Sequence, residues 1–377
     1  MLLLIPGPVM THTDVRAAAN RDIAPWDHDI RAEIATLLAR LRTLAGGQEG
    51  VHVALPLPGS GHFMVEAAIR TFVPPEQDSS VGGILVPATG QYADRMVRLA
   101  REAGRRVAIL PASLTEPLPA AAVEAALRAD PGITHLGLVY SETSTGIVHD
   151  PEAIGAVVRG LGRRMILDAV SAFGALPIAV ADHPEIDALI FTPNKCLEAL
   201  PGFSMAVCPV QRLEDCAGQA GSWSFDLADI YQNGLTNGPG AGRFTPPIQA
   251  LAALGTALDR LDAEGGREAR LARYRDNMSA LYDGIEGLGL RPFLPRAIQG
   301  PIIMNVHAPV QPSWDLRRFV EALKRRGVLI SNFRNTEEPS MRIGAIGAIT
   351  RHDILRAVKA MGETLDELGL RPMTRAA

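Results

Sequence analysis

Lys195 and Asp168 are the residues of this sequence whose types and spacing could most directly do chemistry. Each follows a short apolar run, Met165-Ile166-Leu167 for the carboxylate and Ala188-Leu189-Ile190-Phe191 for the amine. They stand 27 residues apart, about one β–α–β step. An amine can hold an aldehyde, and a carboxylate can keep a pyridine-type ring nitrogen protonated so that the ring acts as an electron sink. That pairing is the need of pyridoxal 5′-phosphate (PLP) chemistry. A phosphate group requires backbone N–H donors at a helix start, which Gly59-Ser60-Gly61-His62 ahead of a helical pattern can offer. Tyr92, after Thr89-Gly90-Gln91, supplies an aromatic ring to cover a cofactor face.

Taken singly, each feature has a commoner explanation. A strand-end Asp is more often a turn residue, a tyrosine more often half-buried packing, and a loop lysine nearly always solvated surface. Their order and spacing carry the reading. Cys196, beside the lysine, reads as a packed thiol because no histidine is near it in sequence. Cys196, Cys208 and Cys216 form no CxxC pair, and an odd number argues against a disulfide framework. No metal-ligand spacing stands out among the nine histidines, so no metal is expected.

The elements that must position these residues read as alternating strand and helix. Helices are expected at 61–71, 92–103 (with Gly104 as C-cap), 120–129 and 151–160, and strands at 83–87, 107–110, 135–140, 165–167, 188–191 and 204–208. Such alternation predicts an α/β fold with a mainly parallel sheet and helices on both faces, and ligands bind off the carboxyl ends of such strands. Residues 233–247, rich in Gly and Pro, break the pattern. Helices at 248–264 and 269–288 follow, then strands at 302–306, 328–331 and 341–343 with helices at 314–326 and 351–368. The expected organisation is an N-terminal segment 1–14, a large unit 15–255 and a smaller C-terminal α/β unit 256–377.

A net charge of −4 and a pI near 6.2 speak against a nucleic-acid partner or an anionic-membrane surface. The apolar start, Met1 to Pro8, is too short for a signal peptide, and no apolar run approaches the roughly 20 residues of a membrane span. A cytosolic protein is expected.

Over nearly its whole length the sequence resembles the 2-aminoethylphosphonate–pyruvate transaminase family of the class V aminotransferases. The matching segments are Pro6-Gly7-Pro8, Gly59-Ser60-Gly61, Tyr92 with Arg95-Met96, Ser141-Glu142-Thr143-Ser144-Thr145-Gly146 and Asp168-Ala169-Val170-Ser171-Ala172-Phe173-Gly174. They continue with Asn194-Lys195-Cys196, Pro201-Gly202-Phe203, Arg243-Phe244-Thr245-Pro246-Pro247 and Arg342-Ile343-Gly344. The resemblance implies PLP fold-type I and assigns roles. Lys195 would carry the cofactor and move the proton, Asp168 would hold the ring nitrogen, Thr143 would lie near the ring hydroxyl, and Tyr92 would stack on the ring. Ser60, Gly61 and His62 would bind the cofactor phosphate, joined by Thr245 from the partner of a homodimer. Arg342 would bind the acidic group of the substrate, whose geometry suits a guanidinium fork.

The sequence departs from the family pattern around the pocket. His62 replaces a small or hydroxyl residue, Ser331-Asn332-Phe333-Arg334-Asn335 replaces a Pro-Gly-Lys-like stretch, Tyr140 stands where His is common, and Ile248-Gln249 replaces Thr-His. A histidine after Gly-Ser-Gly is similar to the alanine–glyoxylate transaminase branch. Two activities fit this frame. One converts 2-aminoethylphosphonate and pyruvate to phosphonoacetaldehyde and alanine. The other is a lyase that takes the 1-hydroxylated aminophosphonate to phosphonoacetaldehyde and ammonia, with His62 as an acid. A catalytically silent binding protein is the third reading; retention of both Lys195 and Asp168 argues against it.

Overall fold

Chain order explains most of the architecture. The computed structural model describes residues 1–76, 81–333 and 336–371. It begins with strand β1 (Leu2–Leu4), helices α1 (Thr13–Ala18) and α2 (His28–Leu44) and strand β2 (His52–Pro58). The alternating region follows: α3 (Gly61–Phe72), β3 (Ile84–Pro87), α4 (Gln91–Glu102), β4 (Val107–Leu110), α5 (Ala120–Ala129), β5 (His135–Val139), α6 (Pro151–Gly160), β6 (Arg164–Asp168), β7 (Ile186–Phe191) and β8 (Phe203–Pro209). The seven strands β2 to β8 form one sheet in the order β2-β8-β7-β6-β5-β3-β4. Strands β3 to β7 run parallel, while β8 is antiparallel to both of its neighbours, β7 and β2.

Strand side chains alternate between faces, and the two faces fill two cores. Met165 and Leu167 of β6 join Leu136 and Leu138 of β5 in one, beneath α2, α5 and α6. Ile166 of β6 joins Ala188 and Ile190 of β7 in the other, beneath α3 and α4. Burial on both faces is why these strands read as continuous apolar runs.

After β8 come α7 (Val210–Asp215), α8 (Leu227–Asn237), α9 (Ile248–Glu264) and α10 (Gly266–Gly287), then β9 (Ile303–His307), α11 (Leu316–Arg325), β10 (Val328–Ile330), β11 (Ser340–Gly344) and α12 (Arg351–Glu367). β9 pairs antiparallel with β11, and β1 pairs parallel with β10. The first strand of the chain therefore closes the C-terminal core, where Leu2 and Leu4 pack with Phe319, Ile330 and Ile343. Helix α12 starts with a reciprocal capping box between Thr350 and Asp353.

Three sequence expectations need correction. The C-cap of α4 is Ala103, and Gly104 follows it at φ +67°, where a residue without Cβ is favoured. Residues 233–237 are not part of a break but finish α8, because the helix runs until Gly238 turns the backbone to φ +92°. Residues 13–18, 28–44 and 210–215, given no element in the sequence reading, are helical.

Candidate active site

The carboxyl ends of four adjacent parallel strands deliver the residues singled out above. Beyond β3 lies Tyr92, beyond β5 Glu142 and Thr143, at the end of β6 Asp168, and beyond β7 Lys195. Open parallel sheets place their ligands at this edge. A cavity of ≈ 400 Å³ lies there, lined by Ser60, Gly61, His62, Tyr92, Asp168 and Lys195 among others.

Lys195 is 7% exposed, and its Nζ donates to Ser171 Oγ at 3.4 Å. Burial lowers the proton affinity of the amine, against the opposing pull of Tyr92. Gly7 passes directly over its side chain: a Cβ there, on a backbone at φ +147°, would stand 2.8 Å from Lys195 Cδ and Cε. The Pro6-Gly7-Pro8 motif thus forms part of the lysine's wall. Cys196 is fully buried, its thiol donates to Ser171 O, and burial pushes it up to about 12, so it is a packed and inert group.

Asp168 accepts the Val170 N–H through Oδ1 at 2.9 Å. Burial lifts its carboxyl to about 6, against that backbone bond and Lys195. Ser60 is the N-cap residue of α3, yet its side chain does not cap the helix; its Oγ pairs with His62 Nδ1 at 2.9 Å. The first turn of α3 therefore keeps backbone donors for an anion. Gly61 packs tightly, since a Cβ there would meet Val170 Cγ2 at 2.7 Å. His62 lines the cavity, and burial followed by the positive charge of Arg95 lowers its proton affinity.

Tyr92 sits in the first turn of α4, with the Arg95 guanidinium 4.9 Å from its ring centroid. Burial alone would raise its hydroxyl, but Lys195 and, to a smaller degree, a hydrogen bond with Thr143 and the charge of Arg342 bring it below its ordinary value. Arg342, on β11, is 1% exposed; Nη1 donates to Thr143 O at 3.2 Å, and the Phe333 ring lies 4.9 Å away. Its register partner Asn305 on β9 donates to Ser144 O, so neighbouring strands of the C-terminal unit grip consecutive carbonyls. Thr143 is buried beside this contact.

Thr245 is exposed on the segment after α8 and does not line the Lys195 cavity of its own chain. Of the departures noted in sequence, His62 lines the cavity and Phe333 faces Arg342. Tyr140 instead donates to Pro177 O, Ile248 and Gln249 begin α9 outside the cavity lining, and Arg334-Asn335 lie outside the described residues. Sequence reading missed the individual importance of Gly7, Ser171 and Glu142. All three stand inside quoted motifs, but only the tertiary contacts single them out.

The arrangement fits PLP. It offers a buried amine of lowered proton affinity, a buried carboxylate with one oxygen engaged by backbone, a helix start whose N-cap side chain does not cap it, and an aromatic ring on one cavity. Thr192 Oγ1, buried on the cavity lining, has no hydrogen-bond partner among the described residues, as expected of a group facing a ligand.

The class-V aminotransferase model matches residues 68–362. The chain belongs to the class-V aminotransferases. It is a PLP-dependent aminotransferase of fold-type I. A 2-aminoethylphosphonate–pyruvate transaminase of Burkholderia ambifaria is 42% identical, over 98% of this chain and 96% of that one. One of Cupriavidus necator is 38% identical, over 100% of this chain and 98% of that one. Among solved structures, an aspartate aminotransferase of Thermus thermophilus superposes with a TM-score of 0.84 at 25% identity, covering 98% of this chain and 100% of that one. Pyridoxamine–pyruvate aminotransferase of Mesorhizobium loti has the same fold, with a TM-score of 0.87 at 24% identity over 98% and 93% of the two chains.

Proposed function

We propose that this enzyme transfers the amino group of 2-aminoethylphosphonate to pyruvate, giving phosphonoacetaldehyde and alanine. The observation that carries the reading is identity near 40% along the whole chain to transaminases of that name, with both Lys195 and Asp168 on one cavity. When bound, PLP supplies an electron sink that lets the substrate lose the proton on its amino-bearing carbon.

The protein's own groups do the rest. Lys195, buried and of lowered proton affinity, would hold the cofactor through its aldehyde and would be the group that moves the substrate's proton. Asp168 would hold the ring nitrogen protonated, and Tyr92 would cover the ring. Thr143 would serve the ring hydroxyl. Ser60, Gly61 and His62 would hold the phosphate at the start of α3, with Thr245 supplied by a second subunit. Arg342 takes the substrate's anionic group as a charge-assisted pair.

Supporting the homodimer is an apolar region beside α2, β2 and α8. There a cavity of ≈ 310 Å³ is lined by Ile34, Leu38, Leu57, Leu235 and Phe244, and Leu235 is 60% exposed. The segment that bears Thr245 borders it. Three buried free cysteines accord with a reducing cytoplasm, and no helix among the described residues is long and apolar enough to cross a membrane. The division into 1–14, 15–255 and 256–377 stays a proposal, because Leu2 and Leu4 pack in the C-terminal core, while Ala257, Leu258 and Leu261, beyond residue 255, pack in the sheet core.

Purified, PLP-loaded enzyme given 2-aminoethylphosphonate should form alanine only when pyruvate is present. Ammonia released from the 1-hydroxylated analogue with no keto acid would replace this reading with the lyase. The relatives are named as transaminases and lend that alternative nothing.

A further inference from the structure

Glu198 is the one non-glycine among the described residues with positive φ, +57°. It stands three residues after Lys195, and its N–H closes a turn onto Lys195 O at 2.9 Å. A side chain in the left-handed region costs free energy unless its surroundings hold it there. Here they do. Glu198 Oε1 accepts from Tyr274 OH at 2.6 Å and from Arg273 Nη2 at 2.7 Å, and Arg270 Nη1 lies 3.6 Å away. Arg270 Nη1 also donates to Cys196 O at 2.7 Å, so α10 grips the lysine turn at two points. The carboxylate is 1% exposed, and Glu264 balances the second charge of the two arginines at 2.7 and 2.8 Å.

The same face of α10 holds the loop after β11. Arg273 Nη1 donates to Gly347 O at 2.7 Å and Ile349 O at 2.8 Å, Gly347 N donates to Tyr274 OH, and Asn277 Nδ2 donates to Ala345 O. The strand that carries Arg342 is thus fixed to the turn that carries Lys195 through one buried charged cluster.

We infer that Glu198 is a positioning residue for Lys195: its carboxylate, clamped by Arg273 and Tyr274 of α10, holds the turn that sets where the amine stands relative to Arg342. The inference rests on Lys195 being the cofactor lysine. An isolated surface pair would be worth little, but this cluster is buried, and removing one member leaves unpaired charge behind.

The test uses E198A, E198Q and Y274F with wild type. Borohydride reduction of the PLP-loaded wild type, followed by peptide mass analysis, first shows whether Lys195 carries the cofactor; a tag elsewhere overturns the proposed function rather than this inference. The rate of Lys195 labelling by acetic anhydride is then followed against pH in cofactor-free protein. Tyr92, Arg342, Cys196 and Asp168, the groups whose charges face Lys195, are unchanged in all three variants.

E198A should move the Lys195 labelling profile toward that of an ordinary lysine. It should also lower kcat by roughly tenfold to a hundredfold with KM nearly unchanged, the cost of misplacing a reacting group by about an ångström. E198Q, whose amide oxygen accepts the same two hydrogen bonds, should recover most of both. Y274F, which deletes one hydroxyl, should shift both in the same direction by less and decides the matter if E198A does not fold. A labelling profile and kcat equal to wild type in folded E198A or Y274F, with only thermal stability lowered, would show that the cluster serves stability alone.

Discussion

The carboxylate of Glu142 accepts a hydrogen bond from the backbone N–H of Tyr92 at 3.3 Å, across 50 residues of sequence. Glu142 is fully buried, and its other oxygen takes both Ser144 N, at 2.9 Å, and Ser144 Oγ, at 2.6 Å. Helix α4 has no side-chain cap of its own at Gly90, so a carboxylate from the β5 loop serves its positive end. The approach needs glycine at 90: a Cβ there, at φ +151°, would fall 2.6 Å from Glu142 Cδ.

That relationship predicts the behaviour of E142A. Three donors lose their acceptor, costing about 1–3 kcal/mol of stability. Tyr92, no longer fixed by the first turn of α4, should hold PLP less well. Thermal unfolding and a fluorescence titration with PLP measure the two effects, and unaltered cofactor affinity would remove the link between Glu142 and the tyrosine.

A pH prediction follows from Asp168, whose carboxyl is lifted by burial from 3.8 to about 6. A carboxyl raised in the folded state contributes stability in full below its unfolded pKa and loses that contribution as pH rises through the folded value. D168N does not titrate. In cofactor-free protein, the Tm of wild type minus that of D168N should therefore fall as pH rises from about 4 to about 6. His149, which burial holds down to about 4, responds oppositely in the same window, and Glu142, lifted to about 7, responds in the same direction. Both are common to the two proteins, so only the difference between them is diagnostic. A difference that stays level across the window would place the Asp168 carboxyl in solvent.

The lysine wall gives a third prediction. G7A puts a methyl group 2.8 Å from two Lys195 carbons and at a φ that L-residues avoid. Overpacking of this kind costs about 1–3 kcal/mol, and the displaced amine should take up PLP more slowly. Stopped-flow absorbance after adding PLP to the cofactor-free variant reads this directly; wild-type rates would mean the segment yields without moving the lysine.

These residues also mark how far sequence alone could reach. The Asp168–Lys195 pair was legible because each stands at the end of an apolar strand run and the two strands are neighbours. Strands β4 and α5, α6 and α9 were legible to the residue, since periodicity and punctuation coincide there. Gly7 against Lys195, Glu142 beneath Tyr92 and Glu198 within its arginines were not, because each contact joins segments whose meeting depends on the whole fold. The N-terminal strand was likewise invisible: three leucines have no period to read, and they become β1 only because β10 offers a free edge.

Arg342 supplies the last prediction. Its guanidinium donates to Thr143 O, lies by the Phe333 ring and hydrogen-bonds the Tyr92 side chain, and a planar fork of this kind suits an oxyanion. R342K keeps the charge but cannot bond the carbonyl and meet a substrate in the same planar geometry. KM for 2-aminoethylphosphonate should rise by about tenfold, some 1.4 kcal/mol, with a smaller change in kcat. Pyruvate presents a carboxylate to the same pocket in the second half-reaction. If Arg342 receives both anions in turn, the two KM values should rise together; if it receives the phosphonate alone, pyruvate keeps its wild-type KM. Were neither to change, the arginine would be a tie between β11 and the 141–146 segment, and the anion's partner would have to be sought among the cations that line the Lys195 cavity, Arg95 first.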